Sequence, residues 1–205
     1  MIDFIINPIA GGKNGKKTKR AIEIIKNRLT EKGIPFAFHF TEKKGDAKTF
    51  TERLCEEGAS TIVAVGGDGT LHEVINGFKN FDKTALGIIA SGTGNDFAAA
   101  IKIPEDVSDA LDIITDGTAK FTDFMQMPTV RGLNIIGTGV DVDVLKRYEN
   151  LKKKTKFGYT KCLIKTLFNL KTSEFTAQIE NQTTEYVSLI ACIANGHRYG
   201  GGIPI

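Results

Sequence analysis

Over residues 1–116, short apolar runs alternate with stretches of helical periodicity, and Gly, Pro, Asn or Asp marks the switches. Residues 2–6 (IDFII), 35–41 (PFAFHFT), 61–65 (TIVAV) and 85–90 (ALGIIA) read as strands. The run at 61–65 is β-branched and apolar, the pattern of a strand buried on both faces. Helical patterns follow them at 16–32, 46–57, 70–78, 93–101 and 106–115. Ala21, Ile24, Ile25 and Leu29 keep helical spacing in the first, and Gly33 stops it. Asp46 is expected to cap the second, with Gly58 behind its end. This alternation predicts an α/β domain, a parallel sheet with helices on both faces.

Beyond residue 116 the pattern changes. Residues 119–127, 132–139, 174–181 and 184–194 read as strands with one helix, about 156–171, among them. Strands without intervening helices predict an antiparallel second region. We therefore expect a nucleotide-binding α/β domain over 1–120 and part of a β-rich domain over 121–205.

Three of the predicted parallel strands end in loops built for phosphate chemistry. They are Asn7-Pro8-Ile9-Ala10-Gly11-Gly12, Gly66-Gly67-Asp68-Gly69-Thr70 and Ser91-Gly92-Thr93-Gly94-Asn95-Asp96. In an open parallel sheet, ligands bind beyond the carboxyl ends of the strands, so the three loops should share one rim. Glycine permits positive φ and leaves no side chain in the way, so backbone N–H groups can turn to a phosphate. A helix beginning at Thr70 adds its positive N-terminal end. Asp68 would repel a phosphate directly. It makes sense with Mg²⁺ between the two, or as a base near a reacting hydroxyl. The alternative is a tight turn in which Asp68 merely caps the helix. Two familiar nucleotide motifs are absent. Around "GGKNGKKT" the residue five before Gly15 is Ala10, and Lys17 rather than Ser or Thr follows Lys16. No G-x-G-x-x-G opens a helix: His72 and Phe97 occupy the last slots.

Composition bounds the rest. The chain has 205 residues, 41% hydrophobic and 25% charged, an ordinary globular mixture. No apolar run approaches a membrane span and the N-terminus lacks a signal-peptide layout, so a cytoplasmic location is expected. Cys55, Cys162 and Cys192 show no metal-ligand spacing and are expected to be reduced. Residues 146–171 hold nine of the 27 Lys+Arg and one of the 24 Asp+Glu. That segment is +8 and the remainder −5. It could lay Lys152, Lys153, Lys154, Lys156, Lys161 and Lys165 on an anionic bilayer, or simply keep them solvated over an apolar face. The charge is confined to one segment and no nucleic-acid motif accompanies it, so nucleic acid is not an expected partner.

Taken in order, "NPIAGG" at 7–12, "GGDGTLHEVING" at 66–77 and "GTGNDFA" at 92–98 resemble the diacylglycerol kinase-like lipid kinase family in its bacterial form. Thr41-Glu42 with Gly45-Asp46-Ala47, and "ANGHRYGGG" at 194–202, match softer elements. The resemblance implies an NAD kinase/diacylglycerol kinase-like α/β domain followed by a β-sandwich domain. It implies ATP and Mg²⁺ as cofactors and a lipid hydroxyl, diacylglycerol or a related lipid, as acceptor. By position, Asn7 to Gly11, Thr41, Gly66 to His72 (Leu71 included) and Thr93 would touch the nucleotide. Asp68 and Asp96 would hold Mg²⁺, with Asp68 the catalytic candidate. Asn76 would be a minor positioning residue. Ala90 stands where the family usually has Pro.

The resemblance also implies that members continue for roughly another hundred residues, the size of a further domain, including an acidic "DGE"-type element credited with the base. The chain stops in a glycine loop at Ile205. We therefore expect a lipid kinase in a truncated product, with its activity left open by the missing element; it would be cytoplasmic, with peripheral contact to the inner membrane face and homo-oligomerisation also left open. Competing readings are an NAD kinase, a nucleotide-binding fragment without catalysis, and a sphingoid-base or ceramide kinase. His39 reads as structural and Asp123 as a hinge hydrogen-bonder. His197 lies where it could approach substrate.

Overall fold

The computed structural model describes residues 1–12, 15–79, 81–150, 161, 162, 164–166, 168, 170, 172–199, 203 and 204. It divides into two compact units, Met1–Asn134 with Asn195–Ile205, and Ile135–Ala194.

The first unit is built on four parallel strands: β1 (Ile2–Ile6), β2 (Phe36–Phe40), β3 (Thr61–Gly66) and β4 (Ala85–Ala90). Their order is β2-β1-β3-β4. The chain thus leaves β1 toward one edge, returns past it, and continues toward the other. The switch point lies between β1 and β3, where such sheets form their ligand crevice.

Side-chain alternation along the strands sorts the helices onto two faces. Phe4, Ile6, Val63, Val65 and Ile89 pack with Ala21, Ile25 and Leu29 of α1 (Lys16–Glu31) and with Ala110 and Leu111 of α5 (Val107–Asp116). Ile5, Ile62, Ala64 and Ile88 pack with Ala47, Leu54 and Cys55 of α2 (Asp46–Glu56) and with Leu71, Val74 and Ile75 of α3 (Asp68–Gly77). Phe4 meets Phe36 and Phe38 edge-on across β1 and β2. Burying each such side chain is worth about 1.5–3 kcal/mol. The predicted α/β class is the one observed.

Several element boundaries differ from expectation. The third helix begins at Asp68, two residues early, with Gly67 as N-cap. Asp68 is therefore a first-turn carboxylate and not the cap. Gly45, with φ of 95°, caps α2 in place of Asp46. The helix expected at 93–101 shortens to α4 (Asp96–Ala100), because Asn95 before it is left-handed, with φ of 59°. Asp106 does cap α5, accepting from the Ser108 and Asp109 N–H groups. The strand expected at 119–127 is reduced to β5 (Met125–Gln126), which pairs with β6 (Arg131–Gly132).

That small hairpin fixes the far end of α3. The Arg131 guanidinium donates to the Ile75 and Phe78 carbonyls, 3.1 and 2.6 Å away, and lies over the Phe81 and Phe124 rings. Asn76 accepts from the Arg131 N–H at 2.7 Å and donates to the Arg131 carbonyl at 3.0 Å. Asn76 is thus bound into the helix end, about two turns from the glycine loop at the start of α3.

In the second unit, β7 (Ile135–Gly139) pairs with β10 (Ile190–Ala194), and β8 (Ser173–Ile179) forms a hairpin with β9 (Gln182–Ser188). All are antiparallel. The single strand expected at 184–194 is therefore two. A helix, α6 (Val140–Glu149), was not anticipated. The helix expected over 156–171 lies mostly outside the described residues, as do Lys152, Lys153, Lys154 and Lys156. Helical backbone is described at 161, 162 and 164–166. Among the described residues no helix is long and apolar enough to cross a membrane. The three cysteines are unpaired. Arg198–Tyr199 (β11) and Ile203–Pro204 (β12) pair in the first unit.

Candidate functional site

Because β1 to β4 run parallel, the loops at their carboxyl ends line one rim. Along it stand Thr41–Gly45, Asn7–Gly12, Gly66–Thr70 and Ser91–Asp96, in the order of the strands. The last three touch directly. The Asn7 amide donates to Thr70 Oγ1 at 3.4 Å, and Asn7 Oδ1 accepts from the Ile9 N–H. Thr18 of α1 donates to the Ala10 carbonyl and exchanges a hydrogen bond with the Ser91 hydroxyl at 2.9 Å. The Asn95 N–H donates to Asp68 Oδ2 at 2.8 Å, and the Asn95 side chain donates to the Gly92 carbonyl.

The glycines divide into two kinds. A Cβ on Gly92 would stand 2.3 Å from Gly67 Cα, and one on Gly66 would stand 2.3 Å from Thr70 Oγ1. Gly92 lets the ends of β3 and β4 meet, and Gly66 makes room for the Thr70 side chain at the start of α3. A Cβ on Gly69 would meet nothing within 4 Å, so this residue faces open space. None of Gly66, Gly67 and Gly69 has positive φ, contrary to the expected reason for their presence. Positive φ belongs to the first loop, at Gly11 (82°), Gly12 (94°) and Gly15 (66°). Gly11 also packs on Ser91, whose carbonyl would lie 2.3 Å from an added Cβ.

Asp68 and Asp96 are each the first residue of a helix, α3 and α4, where a carboxylate is favoured by the helix end. Asp68 is exposed and Asp96 buried. Among the described residues no three His, Cys, Asp or Glu side chains form a metal-binding cluster. Leu71 is buried in the core beneath the loop, and its N–H closes on the Gly67 carbonyl. It supports the rim from below. Thr70 is also buried, whereas His72, Thr93 and Ile9 are exposed. Pro8 folds over Gly15, its carbonyl 1.9 Å from where a Cβ would stand.

Thr41 holds the end of β2, its N–H donating to the Ile6 carbonyl at 2.9 Å. The turn after it is shaped by Asp46, whose Oδ2 accepts from the Lys43 and Glu42 N–H groups at 2.9 and 2.8 Å. Those two donors, Lys43 first, hold the Asp46 carboxyl below the ordinary aspartate value. A depressed folded-state pKa stabilises the fold above the unfolded value, and that contribution is lost as pH falls through the folded value. The stability gap between the natural chain and Asp46→Ala should therefore be present at pH 7 and close progressively below pH about 4. Urea midpoints of both chains across that range check it, and a gap independent of pH would contradict it.

Sequence reasoning quoted Ser91 and Asn95 but gave them no task, and it overlooked Thr18 and Arg131. Thr18 sits on the buried face of α1, the one available signal. Asn95 is the residue that orients Asp68. His39 is structural as expected, its Nε2 2.9 Å from the buried Asp3 carboxylate.

An α/β unit with a glycine-lined rim, an open helix N-terminus and a carboxylate presented there belongs to the class of parallel-sheet proteins whose ligand crevice lies beyond the carboxyl ends of the strands. The family model of the diacylglycerol kinase catalytic domain matches residues 2–127, and the chain belongs to that family. It is 37% identical over 137 residues to a diacylglycerol kinase of Staphylococcus saprophyticus subsp. saprophyticus, covering 66% of this chain and 44% of that one. A diacylglycerol kinase of Staphylococcus aureus is 36% identical over 137 residues, covering 66% and 42%. The matched part thus spans less than half the length of these relatives. The crystal structure of a diacylglycerol kinase from Bacillus anthracis str. Sterne has a TM-score of 0.73 at 26% identity, covering 100% of this chain and 67% of that one.

Proposed function

We propose that the protein is an ATP- and Mg²⁺-dependent lipid kinase that transfers the γ-phosphate to the hydroxyl of diacylglycerol or a related lipid. The observation that carries this reading is Asp68, held by the Asn95 N–H at the open end of α3, on a rim that three glycine loops complete. The first N–H groups of α3 precede the Leu71–Gly67 bond and have no acceptor within the helix. They are the donors for nucleotide phosphate, and the open space at Gly69 lets it approach. Asn7 to Gly11, Thr41, Gly66 to Thr70 and Thr93 surround the nucleotide in this reading, with His72 on the exposed face beside it.

Mg²⁺ is commonly held by one or two carboxylates together with phosphate oxygens and water, so a full protein cage is not required. Asp68 and Asp96 fit that donor set. The cation would supply charge neutralisation at the phosphates. The rest is positioning, as is usual for phosphoryl transfer. The acceptor oxygen bonds to the γ-phosphorus, the bond from that phosphorus to the bridging oxygen of ADP breaks, and the hydroxyl proton is released. The basic segment 146–171 would bring the protein to an anionic lipid surface.

The test is transfer of label from γ-labelled ATP, with Mg²⁺, to diacylglycerol, sphingosine, phosphatidylglycerol or NAD. Label in a lipid supports the proposal. Label in NAD alone, or in none of the four, overturns it.

A further inference from the structure

The two carboxylates of the rim are joined through one residue. Asn95 donates its backbone N–H to Asp68 Oδ2 at 2.8 Å, and Asp96 is the next residue in the chain. Peptide groups are planar. Once that N–H is fixed on Asp68, the φ and ψ of Asn95 therefore decide where the backbone of Asp96 lies. Asn95 stands at φ 59° and ψ 37°, in the left-handed region. Among the described residues, Asn95, Lys102 and Glu180 are the non-glycine positions with positive φ, and of these Asn95 lies in a rim loop. An ordinary helical φ is about 120° away. Reaching it would swing Asp96 out of its present relation to Asp68.

The surroundings secure this conformation. The Asn95 side chain donates from Nδ2 to the Gly92 carbonyl at 3.1 Å. Its backbone carbonyl accepts from the Ala99 N–H at 3.0 Å, as the N-cap of α4. Its Oδ1 is wedged against the third loop, where a Cβ on Gly92 would stand 2.7 Å from it. That oxygen is buried and accepts no hydrogen bond among the described residues. A left-handed non-glycine backbone and an unpaired buried oxygen each cost free energy. Both costs fall on the residue that joins the carboxylates. After glycine, asparagine is among the few residues that visit this region readily.

We propose that the left-handed backbone of Asn95 is a positioning device that holds Asp68 and Asp96 in fixed relation, as a pair one cation can share, an inference that rests on the lipid-kinase reading. Asn95 acts through the two carboxylates and needs no contact with cation or nucleotide. Asn95→Gly and Asn95→Ala both delete the side-chain amide, but glycine alone keeps the left-handed backbone without strain. Their comparison separates backbone handedness from side-chain bonding. Two readouts are taken on the full chain. Hydrogen exchange of the residue-95 amide reports its bond to Asp68. The Mg²⁺ concentration that half-saturates binding of a fluorescent ATP analogue reports the carboxylate pair. Asn95→Gly should stay within about threefold of the natural chain in both, whereas Asn95→Ala should exchange about tenfold faster and need about tenfold more Mg²⁺. A residue with a merely structural role would lower the urea midpoint of the variants and leave the Mg²⁺ requirement unmoved. Asp68→Ala should speed exchange of the Asn95 amide by a similar factor, and it keeps the test decisive if Asn95→Ala does not fold. Equal behaviour of the glycine and alanine variants, or an Asn95 amide indifferent to Asp68→Ala, overturns the proposal. Rescue by glycine with no label reaching a lipid from γ-labelled ATP overturns the kinase reading alone. Label in a lipid without rescue by glycine overturns the positioning assignment alone.

Discussion

Asp68→Ala should fold normally and lose Mg·ATP-dependent transfer to lipid by on the order of a thousandfold, comparable to removing a principal electrostatic group from an active site. The fold should tolerate the change because Asp68 is exposed and its carboxylate accepts from a backbone N–H, that of Asn95. Losing a carboxylate from the first helical turn costs about 0.3–1 kcal/mol, and alanine's better helix propensity offsets part of it. Asp68→Asn refines the result. It keeps an oxygen for the Asn95 N–H and removes only the charge, so it should be nearly as inactive as the alanine variant. Thermal midpoints and labelled-ATP turnover, measured side by side, check both. Turnover by Asp68→Ala equal to that of the natural chain would remove Asp68 from the chemistry.

Gly92→Ala and Gly69→Ala should fail in opposite ways. At Gly92 the new methyl lands 2.3 Å from Gly67 Cα and 3.0 Å from Gly67 N. Both are backbone atoms at the end of β3, so no side chain can rotate aside. The loops must part, at a cost of about 2–3 kcal/mol. Nucleotide binding should fall with stability, since Asn95, which orients Asp68, donates to the Gly92 carbonyl. At Gly69 the methyl enters empty space within a helix. Stability should hold or rise by up to about 1 kcal/mol from helix propensity. Nucleotide affinity should nevertheless drop, because in the proposed reading the space being filled is the phosphate approach. Urea unfolding and a fluorescent-nucleotide titration separate the two effects. Unchanged affinity in Gly69→Ala would show that this face is not where phosphate lies.

The strand-helix alternation of residues 1–116 was legible because β1 and β3 are buried almost throughout and glycine or proline stands near the end of most apolar runs. Legibility ended where local pattern and burial part company. Phe121 belongs to an alternating run, yet it is 94% exposed, and the strand expected there shrinks to two residues. Val140, Val142 and Val144 alternate with aspartates as in a strand, but they fall in α6. The run at 184–194 breaks at Leu189, whose carbonyl accepts from the Val140 N–H at the bend where β7 becomes α6. Tertiary context overrides propensity in each case. The three rim loops could be named from their glycines and polar residues. Their mutual contacts could not, because Thr18 to Ser91, Gly67 to Gly92 and Asn76 to Arg131 join residues 25 to 73 positions apart. No periodicity records such pairs.

The chain leaves the first unit at Asn134 and re-enters it at Asn195, where the Asn195 N–H donates to the Asn134 carbonyl at 2.8 Å. This has a consequence for the order of folding. The sheet and its glycine-loop rim draw on the first 134 residues and can assemble as these emerge. The segment carrying Asn195 and His197 must wait for the whole of residues 135–194 to be synthesised. Closing that long excursion costs entropy that grows only logarithmically with its length, so the delay is one of sequence and time more than of energy. A nascent chain would form the glycine-loop rim before the segment of Asn195 and His197 joins the first unit.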